Sequence, residues 1–444
     1  MERKNYWMLI IFTIFLILFA IFSTRIGFHD VYEYITISKN FAGIKNVNIF
    51  SGHSLLYPLI ISIFLKIWPS LTIIKLVNVS WLFGIGALLL FWLKNKKVFI
   101  IFAFSPLIWF VSIQTTPVLP ATFFFFLFYI FIKKESIKYN LLYAGFFLGI
   151  SIAVYTPMAL IGSIFILIYF FDKSFKEFFF LLIAVLVGSL PRFVLDYYLF
   201  KMPVYSFIRY AGANFIVSLG LNLAIKDFNI IGNLEILLIF VLISPFLFKI
   251  YRLKFKFYKK EVIFIILASI IFLMRGTMIK YFLIISPIIL FLLSKVLTKK
   301  EIKWHIIFSI ILIIIMTGNY FTTNEIILRK DLEEIKENYN VDYIIAQPAG
   351  ANKLATFSWQ NKPYFVWFQD FNASLKNETF IRGYEFDFDS KIPLKSRLKI
   401  SASFNRFEDK VYENYILVTE KDIGFQPENF NLKKCYEILC VYEK

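Results

Sequence analysis

Apolar residues along most of this chain run in long blocks, separated by short clusters of lysine and arginine. The blocks fall at 6–23, 71–93, 98–113, 118–132, 140–155, 157–171, 176–194, 232–250, 261–274, 279–297 and 303–318. A helix crossing a bilayer needs roughly 20 apolar residues. The pattern therefore predicts a polytopic α-helical membrane protein with about 11 transmembrane helices. The first block follows Arg3 and Lys4 and has no small-residue cleavage site before Arg25, so it reads as a retained span rather than a signal peptide. After residue 318 the texture changes. Residues 326–339 carry helical apolar spacing, and 342–346, 364–368, 398–403, 415–419 and 435–442 read as strands. A soluble α/β or α+β domain is expected at 319–444, behind a helical membrane domain at 1–318.

Composition supports this division. Apolar residues make up 59% of the chain and charged residues 18%, whereas soluble domains have about 45–50% and about 25%. An ordinary soluble enzyme and a disordered chain are both excluded. The formal net charge is +18, but residues 319–444 hold 17 Lys and Arg against 19 Asp and Glu, a net of −2. The preceding residues therefore carry +20. That excess lies in short loops, as in cytoplasmic loops of membrane proteins, and is not a nucleic-acid footprint.

Placing the N-terminus in the cytoplasm puts Lys94/Lys96/Lys97, Lys133/Lys134/Lys138, Lys173/Lys176, the basic run at 249–260 and Lys299/Lys300/Lys303 all on the inner side. The expected protein is thus a multi-pass protein of the cell membrane with its C-terminal domain extracytoplasmic. Two outer segments, 24–70 and 195–231, are long. Within the first, 31–42 and 55–68 are read as helices lying at the membrane interface. Making 55–68 a true span would carry Lys94–Lys97 outside and spoil the charge alternation.

Ionisable groups near the membrane are where chemistry is sought. Glu2, Glu135, Asp172, Glu177, Glu261 and Glu301 fall among inner-loop lysines and are expected to be solvated. On the outer side, Asp30 and Glu33 follow the first span and share a helix face. Two readings of Asp30 stand: a general base for an acceptor hydroxyl, or an N-cap for the helix that follows. Arg192, Arg209, Arg275 and Lys280 lie at or near outer helix ends, as phosphate ligands or as side chains snorkelling to headgroups. Cys435 and Cys440 form a local disulfide or remain two thiols. The sequons at Asn372 and Asn377 match the N-glycosylation pattern. The aromatic stretch 359–368 suits either core packing or stacking on sugar.

The order of several segments resembles the GT-C glycosyltransferases, which include the protein O-mannosyltransferases and the lipid A aminoarabinose transferases. One span is followed by Gly27-Phe28-His29-Asp30 and then by His53-Ser54-Leu55-Leu56-Tyr57-Pro58-Leu59. Further on come Leu190-Pro191-Arg192, the stretch from Asp196 to Pro203, and Lys280-Tyr281-Phe282 with Pro287. The likeness runs over roughly residues 5–300. It implies transfer of a sugar from a polyprenyl-phosphate lipid donor to a protein, glycan or lipid acceptor at the outer face. Asp30 would be the catalytic carboxylate and Lys280 a phosphate contact, with His53 near the active site. Position adds Arg275 and Arg192 to the phosphate group; Glu33 joins the catalytic group as a stand-in for an acid the family pattern has elsewhere, and Tyr57 and Tyr281, within the matched motifs, are expected substrate contacts. No cofactor is required by this scheme, and no metal ligand set is assigned.

The chain also departs from the family pattern. Ser54 and Leu55 replace two prolines, Lys201 a glycine, and Lys280 an arginine. Val31 follows Asp30 where many relatives have a second acid, and 114–117 reads Gln-Thr-Thr-Pro where many have an acid before the proline. A lipid-linked sugar flippase and a non-catalytic scaffold for glycan assembly are the rival readings.

Overall fold

The computed structural model describes residues 2–27, 29–44, 46, 53–112, 114–134, 138–170, 174–208, 210, 255–274, 279–317, 323–346, 348–368, 371, 383–386, 398–401, 412–421 and 430–444. Helix α1 covers Glu2–Phe22, α2 His29–Ala42 and α3 Leu56–Ile67. Helix α4 (Leu71–Ala87) continues into a π turn at Leu88–Trp92. There follow α5 (Lys96–Ala103), α6 (Pro106–Ser112), α7 (Val118–Lys133), α8 (Asn140–Val154), α9 (Met158–Phe170) and α10 (Phe175–Phe200). Further along the chain come α11 (Phe255–Met274), α12 (Ile279–Val296) and α13 (Lys299–Thr317). Among the described residues, Asn5–Phe22, Leu71–Trp92 and Phe175–Phe200 are long and apolar enough to cross a membrane.

Most apolar blocks became helices close to their expected bounds, with instructive exceptions. The block at 98–113 is two short helices, not one span. Pro106 disfavours helical backbone at the residue before it, and the chain breaks at Phe104–Ser105. Helix α10 runs to Phe200, six residues beyond the apolar block. Helix α11 begins at Phe255, with non-helical backbone at Tyr258. The block at 232–250 lies outside the described residues. Helix α3, only 12 residues long, buries Tyr57, Ile61 and Leu65 and exposes Ile63, Phe64, Ile67 and Trp68.

Helices α8 and α10 pack backbone to backbone. A Cβ on Gly188 would sit 2.1 Å from the Phe146 carbonyl, and one on Gly149 2.2 Å from that of Val185. Ser189 Oγ donates to the Gly149 carbonyl at 3.2 Å across the same seam. Apolar side chains gain little by leaving lipid, so close approach through small residues is what holds such a pair.

Glu261 corrects the expectation that it is solvated: it is fully buried. It pairs with Lys133, and Tyr129 OH donates to the same carboxylate oxygen at 3.3 Å. A carboxylate this far from water needs such partners. Glu177 and Glu301 are half-buried and engaged in capping. Each faces a hydroxyl residue three positions earlier, Ser174 or Thr298, and exchanges hydrogen bonds with it.

The C-terminal region is a mixed α/β layer. Helix α14 (Thr323–Asn338) leads to β1 (Tyr343–Ala346), α15 (Pro348–Phe357) and β2 (Tyr364–Trp367). Then come β3 (Gly383–Phe386), β4 (Leu398–Ser401), β5 (Tyr415–Glu420), β6 (Asn431–Cys435) and β7 (Leu439–Glu443). The main sheet has the order β2-β1-β5-β7-β6. β1 is parallel to β2 and β5, and β5–β7–β6 is antiparallel. Strands β3 and β4 pair separately. The stretch read as one strand at 435–442 is a hairpin, because the chain reverses at 436–438 and Cys435 pairs opposite Cys440. Those two cysteines are bridged.

Side chains alternate across the sheet. Ile344, Ala346, Phe365, Trp367, Ile416 and Val418 face α14 and α15, while Ile345, Val366 and Leu417 pack with Phe371 on the other side. The first of these cores does not end at its own helices. It continues into Val31, Tyr32, Tyr34 and Ile35 of α2 and Tyr57, Ile61 and Leu65 of α3. Helix α2 is thus buried on two sides. Lys39, fully buried, donates to the Ala355, Thr356 and Ser358 carbonyls at the C-terminal end of α15 and lies 4.6 Å from the Trp359 ring. Asn46 Nδ2 donates to the Ser358 carbonyl at 2.8 Å, and Phe365 N–H to the Asn46 carbonyl at 2.7 Å. Burial pushes the Lys39 ammonium down to about 7. The carbonyls, the negative helix end and the ring face oppose that shift and suit the charged form.

Two measurements check this packing. Gly188→Val should lower stability in detergent by about 1–3 kcal/mol, the range for overpacked sites, whereas Leu186→Ala on the exposed face of α10 should leave the melting temperature almost unchanged. Lys39→Met strands buried carbonyls at about 1–3 kcal/mol each in the worst case. It should make the C-terminal region a substrate for limited proteolysis under conditions where the parent chain resists.

Candidate functional site

One end of the helical part gathers aromatic and basic groups from six elements, α2, α3, α8, α10, α11 and α12. Helix α2 supplies Tyr34, buried, with its ring edge-on to Tyr57 of α3 at 5.7 Å and 5.4 Å from the imidazole of His53. His53 lies 5.6 Å from Tyr210, which follows α10. Tyr155, at the end of α8, stacks on Tyr281 of α12 at 6.4 Å. Tyr34 and Tyr210 are also within electrostatic reach of Tyr155. Phe272 of α11 stacks on the other side of Tyr281 at 5.7 Å. The segments carrying the expected motifs therefore meet.

Arg192 sits beside this cluster. It is 1% exposed, so it does not snorkel to headgroups. Its Nη1 donates to Thr156 Oγ1 at 2.8 Å and to the Ile152 carbonyl at 3.3 Å, and its Nε donates to Ser206 Oγ at 3.0 Å. Ser206 in turn donates through Oγ and backbone N–H to the carboxylate of Asp196, at 2.7 and 2.9 Å. Asp196 is fully buried, and its charge balances the guanidinium through the serine. Among the described residues, Nη2 of Arg192 has no hydrogen-bond partner, so the guanidinium keeps donor capacity beyond the bonds described here.

The other expected residues are distributed as follows. Asp30 is the second residue of α2, four before Tyr34, and Lys280 is the second of α12, next to Tyr281. The side chains of both lie outside the described residues, as does the whole of Arg275, along with Arg209 and the two sequons. Glu33 is half-buried on α2, and its carbonyl accepts from Thr36 Oγ1 at 3.0 Å. Tyr57 is fully buried and donates to Asn78 Oδ1 at 3.2 Å, with Asn78 Nδ2 in turn donating to the Gln114 carbonyl. The neutral 114–117 loop thus joins a buried polar network behind α3. In the aromatic stretch 359–368, Phe365, Val366 and Trp367 are sheet core and Trp359 lies under Lys39.

Tyr155 and Tyr210 were not singled out by sequence, and Tyr34 only as the tyrosine that closes the Gly27-x-x-Asp30-x-x-x-Tyr34 context. Tyr155 precedes Thr156-Pro157, a break between two apolar blocks, and such breaks at the outer side are where polar groups collect. Nothing in the sequence pairs Tyr34 with His53.

The Arg192–Ser206–Asp196 relay gives a prediction. Asp196→Asn leaves a buried guanidinium without its balancing charge and should cost about 3–5 kcal/mol, the range for breaking a buried charged pair. Ser206→Ala should cost less, about 1–3 kcal/mol, the range for one lost buried hydrogen-bond partner. Thermal unfolding in detergent ranks the two; equal losses, or none, would contradict the relay.

No protein-family model matches this sequence, and no curated protein matches it. The fold, however, has a solved counterpart, the crystal structure of ArnT from Cupriavidus metallidurans bound to undecaprenyl phosphate. The two superpose with a TM-score of 0.55 over 100% of this chain and 98% of that one, at 11% sequence identity. A likeness of that extent at that identity is one of fold: this chain shares the architecture of that structure, with apolar helices followed here by a C-terminal α/β region.

Proposed function

We propose that this chain is a membrane glycosyltransferase that moves a sugar from a polyprenyl-phosphate lipid to an acceptor at the outer face of the cell membrane. The observation that carries this reading is the meeting of α2, the His53 loop, the end of α8 and α12 through Tyr34, His53, Tyr155 and Tyr281, with Arg192 alongside. The residue four before Tyr34 is Asp30, and the residue before Tyr281 is Lys280. Residues four apart share a helix side, so in this reading Asp30 belongs to the Tyr34 side of α2, and Lys280 enters as the chain neighbour of Tyr281 at the start of α12. The ArnT structure holds undecaprenyl phosphate, and the donor here is taken to be a lipid of that class.

The chemistry is a single displacement. The acceptor oxygen attacks the anomeric carbon, and the bond from that carbon to the phosphate oxygen breaks. Its electron pair leaves with the polyprenyl phosphate, and the anomeric centre inverts. Asp30 takes the acceptor proton as the new bond forms. Lys280, with Arg275 and Arg192 near it in this reading, stabilises the leaving phosphate, most strongly where water is excluded. The tyrosine rings offer flat apolar faces and hydroxyls to a sugar. The basic inner loops put the N-terminus in the cytoplasm, and a disulfide at Cys435–Cys440 fits an extracytoplasmic C-terminal region.

Reconstitution into proteoliposomes with undecaprenyl-phosphate-linked sugars tests this. Asp30→Asn should lower release of undecaprenyl phosphate by about 10²–10⁴-fold, the usual contribution of a positioned base. Lys280→Ala should weaken both lipid binding and turnover. Undiminished release by Asp30→Asn would reject the assigned base, and movement of intact lipid between leaflets without bond cleavage would favour a flippase.

A further inference from the structure

Helix α14 links the first outer loop to the C-terminal sheet through two carboxylates. In its first turn, Glu325 is 8% exposed. Its Oε1 accepts from the Ile26 N–H at 3.3 Å and from the Tyr32 hydroxyl at 3.2 Å. About two turns further along, Asp331 Oδ2 accepts from the backbone N–H groups of Ile438 and Leu439 at 2.7 and 3.0 Å. Those residues form the turn of the β6–β7 hairpin. One end of the helix is thus tied to the loop and its middle to the sheet.

The loop side of this link is built with care. Burial raises the Glu325 carboxyl above its ordinary range, while the bonds from Ile26 and Tyr32 and the nearby Lys75 and Arg25 oppose that rise. Lys75 of α4, itself 5% exposed, donates to the carbonyl and hydroxyl of Ser23, the residue just after α1. Gly27 adopts φ +138°, a conformation that side-chain-bearing residues rarely take, and lets the chain turn there. Ser23 is therefore held from α4, and Ile26 and Tyr32 are held from α14. Asp30 lies in sequence between the two groups that Glu325 binds. A buried acid at this place is expensive unless its bonds serve it, and the groups it binds bracket the start of α2.

We infer that Glu325 is a positioning residue for Asp30: by binding Ile26 and Tyr32 through one oxygen it fixes the 26–32 segment against α14, so that the C-terminal region sets where the carboxylate of α2 stands. This rests on the reading of Asp30 as the base. Displacements of about 1 Å at a reacting group cost on the order of 100-fold in rate, so a loosened segment should be felt in turnover.

The test uses the full chain in nanodiscs and two readouts. Hydrogen exchange of the amides at 24–34 reports the clamp without reference to any reaction. Release of undecaprenyl phosphate from its mannosyl, glucosyl and aminoarabinosyl esters reports catalysis. Glu325→Ala should raise exchange across the segment by about tenfold or more, equivalent to about 1.4 kcal/mol. It should lower kcat by about 100-fold while leaving KM for the lipid nearly unchanged. Glu325→Gln keeps an acceptor oxygen and should restore both readouts. Tyr32→Phe removes one of the two donors, should fall between them, and serves if Glu325→Ala fails to fold. Unchanged exchange in Glu325→Ala and Tyr32→Phe overturns the clamp. Raised exchange with unaltered kcat, or a glutamine variant as impaired as alanine, overturns the positioning role. If instead Asp30→Asn turns over normally, the base assignment fails, and the exchange arm still decides whether Glu325 holds the segment.

Discussion

A single buried ammonium decides where the most informative helix of this chain lies. Helix α2 follows the first span and has apolar residues on most sides, so it can leave water only by being covered from two directions. One cover is α3. The other is the C-terminal region, and there Lys39 is inserted among the last carbonyls of α15. A lysine in that position has three donors for groups that a helix end leaves unpaired. The same interaction both closes α15 and fixes α2. Without it, the core running from the sheet into Tyr34 and Tyr57 would have no reason to be continuous.

The outer cluster depends on that docking. Tyr34 is on α2, and its contacts with His53 and Tyr57, and its proximity to Tyr155, exist because α2 is held down. The other half of the cluster comes from the helical part, where α8 and α10 are brought together through glycines. Their tight seam places Ile152 and Thr156 within reach of Arg192. Two kinds of packing, one around a buried cation and one around missing side chains, thus meet at the site. Division of the chain at about residue 318 describes its texture better than its core, since the first outer loop belongs energetically to both parts.

Helix positions were legible in the sequence because length and hydropathy determine what a bilayer can hold. Residues 98–113 misled because a proline break counts for little in an apolar average, although Pro106 was there to be read. The hairpin at 431–443 was hidden because both its strands and its turn are short. Glu261 looked solvated because its sequence neighbours are lysines; only the fold shows Lys133 and Tyr129 reaching it from another helix. At the site, the sequence pointed to Arg192 by its place near a helix end and to His53 and Tyr281 by the motifs that contain them. It could not show Tyr34, Tyr155 or Glu325, whose partners lie more than a hundred residues away or on elements that periodicity alone does not bring together. The bonds of Glu325 to Ile26 and Tyr32, for instance, span nearly three hundred residues.

The proposed function requires α2 and α12 to meet around one lipid phosphate. Electron cryomicroscopy of the chain in nanodiscs, with undecaprenyl phosphate added, measures this directly. The account predicts density for the phosphate within hydrogen-bonding distance of Lys280, beside Tyr281 and on the Asp30 side of Tyr34. A phosphate bound elsewhere, with the tyrosine cluster closed around its own side chains, would contradict it.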